Sequence, residues 1–430
     1  MQDTSIKSKC SVNTNLDADT FVGIKCENGD ISINFPLGFE ISQSDRELRK
    51  EILLLFSILA KNSDRKDSQL MGQDNIFNDN VFPIKAYLHI ISDYYIRGYF
   101  KEHEVQYNAS KKGKINWNRT IKIHKPYIQD MSVFYLDFIT KRNTVREDEL
   151  ITLIHEYCVY DSFEKVGWLF TKAMPSKARI KYNYKLFASV IKIKLSETFN
   201  DRNRGLFCDM LAIINYQGAK ESNRDYKYGT NRFEYIWESM IDYVFGIENK
   251  AHYFPKTAWN INGINYANAS LEPDTIMILN DNVYVLDAKY YKYGDTKQAR
   301  DLPESTSINK QITYGEYIAE EYEFRKRHGS EMKVYNAFLM PFNALKWKHY
   351  DDKEICWIGQ ATSNWKRNNK EYECVQGILI DVKYLMNINV KQNEDEIIKL
   401  ADIIKKAVGK NECLDKFGER NWIVNNIISN

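Results

Sequence analysis

The sequence predicts an α/β protein: a C-terminal mixed β-sheet flanked by helices, preceded by an N-terminal α+β region. Three observations predict it. Helical and strand-like segments alternate through the second half of the chain, an order that puts helices on the faces of a sheet. An almost wholly apolar strand pair lies at about 275–289, with charges only at its ends and its turn. The first half instead opens with a hairpin and continues mainly in helical patterns.

The elements follow in order. Thr20–Pro36 reads as a hairpin, because two alternating runs flank Asn28-Gly29, a strong turn signal. Ser42 and Ser44 offer caps to a helix from about Asp45 to Lys61, and 62–80 is a polar loop. A helix is expected from Phe82 to about Tyr99, a strand over Lys114–Ile123, a second strand near Val133–Ile139, and helices at 146–160 and 183–199. Thr230–Phe245 is a well-patterned helix with Phe233, Ile236, Trp237, Met240, Ile241 and Val244 on one face. After the strand pair, Gln298–Glu304 is a polar loop and a helix opens near Ile308. Strands at Val334–Met340 and Tyr372–Asp381 and helices at 393–407 and 412–428 close the chain.

A length of 430 residues favours two domains. The Asn-, Arg-, Asp- and Gly-rich stretch 201–232 marks the boundary, giving an N-terminal region 1–200 and a C-terminal domain 201–430. The net charge is only +2, so charge distribution matters more than its sum. Residues 101–200 hold 18 Lys+Arg against 11 Asp+Glu, and the rest of the chain 42 against 47. The middle of the chain is therefore the basic part. The seven cysteines are scattered with no Cys-x-x-Cys pair, which argues against a zinc ribbon or disulfide scaffold and fits a cytoplasmic protein. No signal peptide or run of spanning length is present, so no membrane role is expected.

The chemistry concentrates in the strand pair. Asp274 stands before it, and Asp287-Ala288-Lys289 ends it. Side chains alternate along a strand, so Asp287 and Lys289 share a face. A two-residue turn at Asp281-Asn282 sets Asp274 opposite Lys289, on that face; a three-residue loop at Asn280–Asn282 sets it opposite Ala288, on the other. Charges at the end of a buried strand are costly unless paired or metal-bound. Two carboxylates can hold a hard cation such as Mg²⁺, and a nearby lysine can orient a water and stabilise phosphoryl charge. A plain hairpin with solvated end charges would use the same residue types. Glu234 and Glu238 lie one turn apart on the flank of the preceding helix, as surface charges or as a further metal ligand. Lys310, Gln311 and Tyr314, at the start of the following helix, either reach the phosphate or belong to an ordinary helix start.

Other chemistries lack their motifs. There is no Gly-x-x-x-x-Gly-Lys-Ser/Thr loop, no His-Glu-x-x-His and no Gly-x-Ser-x-Gly elbow.

Pro273-Asp274, Asp287-x-Lys289, the upstream Glu-bearing helix and the downstream Gln/Tyr helix together resemble the PD-(D/E)XK nuclease superfamily. More closely, the chain resembles the LlaJI restriction endonuclease family, related to McrC nuclease subunits. The resemblance rests on Phe21-Val-Gly-Ile-Lys25, Phe35-Pro-Leu-Gly-Phe39, Gly113-Lys-Ile-Asn-Trp-Asn-Arg-Thr-Ile121, Phe233-Glu-Tyr-Ile-Trp-Glu238 and the strand pair, in that order. It implies an endonuclease that restricts foreign double-stranded DNA with Mg²⁺, or Mn²⁺ in its place, beside a separate McrB-like GTPase ring. Residues 1–200 would then connect to that ring. Asp274 and Asp287 match the metal-binding acids, Lys289 the catalytic lysine, and Glu234 or Glu238 the helix acid. Gln311 and Tyr314 depart from the Gln-x-x-x-Tyr spacing of some superfamily members. An autonomous type II enzyme reading its own site, or a non-catalytic DNA-binding subunit, are the alternatives.

Overall fold

The computed structural model describes residues 6–14, 20–63, 82–129, 132–146, 149–219, 225–268, 271–329, 331–347, 354–367, 369–389 and 394–418. The expected loop at 62–80 and helix at 412–428 lie largely outside them. The chain divides into two compact units, one of residues 1–77 with 224–430 and one of residues 78–223. The division differs from a boundary at 200: the N-terminal 77 residues pack with the C-terminal part.

That grouping has a cause in the backbone. β1 (Cys10–Val12), β2 (Val22–Glu27) and β3 (Asp30–Phe35) precede α1 (Asp45–Ser63). β2 and β3 form the expected hairpin around Asn28 and Gly29, both at positive φ. β2 also pairs with a distant strand, Tyr226–Thr230, in a four-stranded sheet. Gly23 and Gly229 face each other there. A Cβ on Gly23 would stand 2.2 Å from the Tyr228 carbonyl oxygen, and one on Gly229 2.2 Å from that of Val22. Only glycines allow the strands this close, which explains Gly23 within Phe21–Lys25.

Residues 78–223 contain α2 (Ile84–Arg97), β4 (Glu102–Ala109), β5 (Lys114–Ile115), α3 (Trp117–Ile123), β6 (Tyr127–Gln129), β7 (Ser132–Phe134), β8 (Ile139–Arg146), α4 (Leu150–Val166), α5 (Tyr184–Glu197) and α6 (Asp201–Gly218). The strand expected over Lys114–Ile123 stops at Ile115. Asn116 caps a helix instead, its side chain accepting from the Arg119 N–H at 3.0 Å. The strand expected near Val133–Ile139 is in fact two, β7 and the start of β8. Between α2 and α4, Tyr87 donates to Asp161 (2.9 Å) and Lys165 reaches both (3.0 Å), a buried polar triad. Part of the basic region is neutralised locally: Arg179 pairs with Glu156 at 2.7 Å and Lys194 with Glu102 at 2.8 Å.

The remaining elements are β9 (Tyr226–Thr230), α7 (Phe233–Phe245), β10 (Ala258–Ile261), β11 (Ile264–Ala267), β12 (Thr275–Leu279), β13 (Asn282–Ala288), α8 (Tyr293–Thr296), α9 (Ser305–Glu320), α10 (Tyr322–His328), β14 (Val334–Phe342), β15 (Ile355–Ala361), β16 (Val375–Asp381), α11 (Val382–Ile388) and α12 (Glu394–Gly418). The central sheet runs β12-β13-β14-β16-β15. Its inner neighbours are parallel and both edge strands antiparallel, so the sheet is mixed, as expected. One face carries Ile276, Val283 and Val285 against Tyr314 and Ile318 of α9. Tyr284 alternates to the other face, within electrostatic reach of Asp402 on α12. The described cysteines are all free thiols. Among the described residues, no helix is long and apolar enough to cross a membrane.

Candidate active site

The site is built at one end of the β12–β13 pair. The two strands turn through Asn280 (φ 49°) and Asp281 (φ 62°), one residue earlier than Asp281-Asn282. Both residue types tolerate left-handed backbone, and two such residues in a row make the turn that suits strand twist. The register, Thr275 against Leu286, carries on to set Asp274 opposite Asp287 rather than Lys289. The face is unchanged, because the shift is by two positions on the partner strand.

Asp274, Asp287 and Lys289 thus converge. Asp274 accepts the Ala288 N–H through Oδ2 at 2.9 Å, and its carboxyl lies within hydrogen-bonding reach of that of Asp287. The Lys289 ammonium is 2.8 Å from each Asp287 carboxylate oxygen. The Lys289 N–H bonds the Leu339 carbonyl at 2.9 Å, so the β13–β14 ladder continues past the strand end and fixes the lysine backbone. Behind the site, Lys250 donates to Asp242 (2.7 Å) and to the Asp274 carbonyl oxygen, pinning the approach to β12.

α7 brings in the helix acid. Its apolar face is buried on β12 and β13, and the Trp237 indole N–H donates to the Leu339 carbonyl at 3.2 Å. This anchor separates the two glutamates. Glu234 is engaged by Arg232 at 2.8 Å. Glu238, one turn on, lies within the field of Lys289 and Asp287.

The electrostatics are those of crowded acids. Burial raises the Asp274 carboxyl well above the usual carboxylate range, and Asp287 and Glu238 raise it further. Burial also pushes Glu238 up to about 7; Lys289 opposes the rise, and Asp287 and Glu234 add to it. Burial works against the charge on Lys289, but Asp287 and Asp274 outweigh it and hold the ammonium above its ordinary range. One ammonium does not balance three carboxyls. A hard divalent cation would, and the donor set is all oxygen. Among the described residues, no group of three or more His, Cys, Asp or Glu side chains encloses a metal position by itself. The donor chemistry is that of a hard-cation site, while the spacing of the three carboxyls does not enclose an ion.

The following helix behaves differently from its reading as a phosphate contact. Gln311 is buried and donates to the Val285 carbonyl at 2.7 Å; Tyr314 is buried and donates to the Glu272 carbonyl at 3.3 Å. Both brace the ends of β12 and β13 from α9, their polar groups turned to backbone carbonyls, as in the reading of an ordinary helix start with a buried tyrosine. Lys310 is exposed, its ammonium 5.5 Å from the centre of the Tyr314 ring. It is the member of the three still able to reach a phosphate.

A cavity of about 410 Å³ opens beside Lys289 and Glu238, with Asn231, Arg232, Glu234 and Tyr291 also in its wall. Thr20 and Val22 line it as well. Sequence reasoning missed this N-terminal contribution, and no local signal carries it. It also missed Lys250, a lone lysine in an irregular segment.

A curated relative is the type II restriction enzyme BsuMI component YdjA of Bacillus subtilis (strain 168), 27% identical over 267 residues. The match covers 57% of this chain and 55% of that protein, so it spans about half the length of the relative. Among solved structures, a chain of the Thermococcus gammatolerans assembly of McrB AAA+ hexamers with bound McrC is similar at 14% identity and a TM-score of 0.34, covering 86% of this chain and 82% of that one. The model of the LlaJI restriction endonuclease family matches residues 21–358, a span that holds β2, α7 and every acid and lysine of the site, and the chain belongs to that family.

Proposed function

We propose that this chain is the metal-dependent endonuclease subunit of a restriction system, hydrolysing phosphodiester bonds in foreign double-stranded DNA. The observation that carries the reading is the convergence of Asp274, Asp287 and Lys289 beside Glu238. Family membership supports it, and the relative's name describes one component of a restriction enzyme.

Asp274 and Asp287, with Glu238 as third carboxylate, would hold Mg²⁺, or Mn²⁺ in its place. The bound ion would supply Lewis-acid stabilisation of phosphoryl charge and a more acidic water. Asp287 keeps Lys289 charged and aimed, so its ammonium can orient the attacking water and stabilise charge on the phosphate. Gln311 and Tyr314 hold the strands that carry these groups, and Lys310 offers a charge to the backbone beyond the scissile bond. The sequence carries no phosphate-binding loop, and a separate McrB-like GTPase would supply any nucleotide-driven search for a target.

The test is plasmid cleavage by the purified chain, with and without the partner and GTP, under Mg²⁺, Mn²⁺ and Ca²⁺. Cutting should require Mg²⁺ or Mn²⁺ and become specific with the partner. Ca²⁺, larger and geometrically looser, should permit binding with little cutting. Efficient cutting at one defined sequence by the chain alone would promote the autonomous enzyme. No cutting under any condition would favour a binding subunit.

A further inference from the structure

The strand pair β10–β11 stands on the same stretch of chain that delivers Asp274. Its register pairs Trp259 with Tyr266 and Ile261 with Ile264, around a turn at Asn262 and Gly263 (φ 53° and 83°). Directly opposed residues share a face and alternate positions repeat it. Trp259, Ile261, Ile264 and Tyr266 therefore form one continuous apolar face. The other face carries Asn260 and Asn265, whose side chains bond each other at 2.8 Å. Every residue of both strands is exposed, Trp259 at 68% and Ile261, Ile264 and Tyr266 each above half. Four large apolar side chains on a two-stranded ribbon, set in water, form a patch that asks for a partner.

The ribbon is anchored next to the acids. Its ladder continues downward through Asn268 N–H to the Thr257 carbonyl (2.8 Å) and Leu271 N–H to the Pro255 carbonyl (3.0 Å). Three residues beyond Leu271 is Asp274. From Ala267 to Asp274 the chain can span at most about 25 Å. Charge narrows the choice of partner. No Asp or Glu occurs from Asn249 to Leu271, 23 residues in a chain with 58 acids among 430, where about three would be expected. Lys256 is exposed at the foot of the ribbon. An acid-free stretch of chain, bounded by Glu248 and Glu272, beside an acid-rich site suits a polyanion. The apolar face itself has no cation for phosphates, and what it matches on a duplex is the bases.

We propose that the β10–β11 hairpin is a DNA-distorting element, laying Trp259, Ile261, Ile264 and Tyr266 against bases beside the phosphate held at Asp274 and Asp287. The proposal rests on the nuclease reading of that site. A two-stranded ribbon is narrow enough to enter a groove, and apolar side chains wedged between base steps unstack and bend the duplex.

The experiment uses the full chain in Ca²⁺ and a short mixed-sequence duplex carrying 2-aminopurine at several positions, whose fluorescence rises on unstacking. The native chain should raise the fluorescence on binding. Trp259→Ala with Tyr266→Ala should abolish the rise and weaken binding at least about tenfold, within the range for aromatic–base stacking. Trp259→Phe with Tyr266→Phe should restore most of both. Because these side chains are exposed, melting temperatures should stay unchanged, which separates loss of contact from loss of fold. Unaltered fluorescence and affinity in the double-alanine variant would overturn the inference, as would absence of duplex binding by the native chain. Sedimentation in parallel completes the test. A native dimer that the variant converts to monomer, with duplex binding untouched, would assign the ribbon to a second copy and overturn the proposal. Cleavage by Asp287→Asn in Mg²⁺ is scored separately: undiminished cutting there sinks the nuclease reading, whatever the hairpin does.

Discussion

Two antiparallel hairpins, β10–β11 and β12–β13, follow each other in the chain and meet opposite fates. Both turn on two residues in left-handed backbone, Asn262-Gly263 and Asn280-Asp281. Both alternate in the usual way. Yet β13 is buried from Val283 through Ala288, while every position of β10 and β11 is exposed. The difference is the neighbour. β13 is flanked by β12 and β14 and covered by α9, whereas among the described residues β10 and β11 pair only with each other. The buried pair can hold charges in a costly arrangement because the sheet over-determines its position. The exposed pair presents a surface able to meet something else.

Asp287→Asn should strike the buried pair hardest in function. Cleavage should fall at least about a thousandfold, roughly 4 kcal/mol of barrier, while metal-free melting should hold or rise, since one of three crowded carboxyls is gone. A drop in melting temperature together with activity would mean that the acid serves folding instead.

Core substitution sharpens the same contrast. Leu286→Ala should cost about 2–5 kcal/mol in chemical denaturation, and Ile261→Ala within about 0.5 kcal/mol. Equal losses would show that β10–β11 is covered in solution.

The glutamates of α7 are next. Glu238→Gln should slow cleavage at least about tenfold, about 1.4 kcal/mol, and Glu234→Gln less than about threefold, because Glu234 is taken by Arg232. Single-turnover rates decide. The reverse order would reassign the helix acid.

The smallest effect is one of pH. Glu238 keeps its proton in the folded chain to about 7, but releases it near 4.5 when unfolded. Between those values the folded state binds more protons, so stability declines as pH rises from about 4.5 to about 7. In EDTA, the melting temperature of the native chain should fall over that window relative to Glu238→Gln. Parallel curves would contradict the raised Glu238 carboxyl.

Much of this was legible in the residues. α7, β12–β13, α9, β14 and β16 follow from apolar periodicity, and α7 is bounded almost as read, whereas β10–β11 and β15 stand outside that reading. Lys114–Ile123 was misread because its alternation fits a strand, while the cap at Asn116 acts locally to start a helix. The β10–β11 hairpin carries Asn262-Gly263, the same signal that marked Asn28-Gly29, and could have been found by applying it again. Gln311 and Tyr314 could not: their types suit a phosphate contact, and only the packing of α9 turns them toward backbone carbonyls.

The sequence by itself determined that Asp287 and Lys289 share a face of a strand pair, and it left Asp274 to the length of the turn, which the structure shows to be two residues. Alternation and a two-residue turn are local, and a turn displaced by one residue moved the partner by two and left the face intact. Tertiary structure alone decided the rest of the site. Choosing Glu238 over Glu234 needs the rotation of α7, set by Trp237 against Leu339. Bringing Thr20 and Val22 to the cavity needs β2 to find β9 some 200 residues away, through two glycines that let the strands close. Such contacts depend on chain segments meeting in space, and no window of neighbouring residues encodes them.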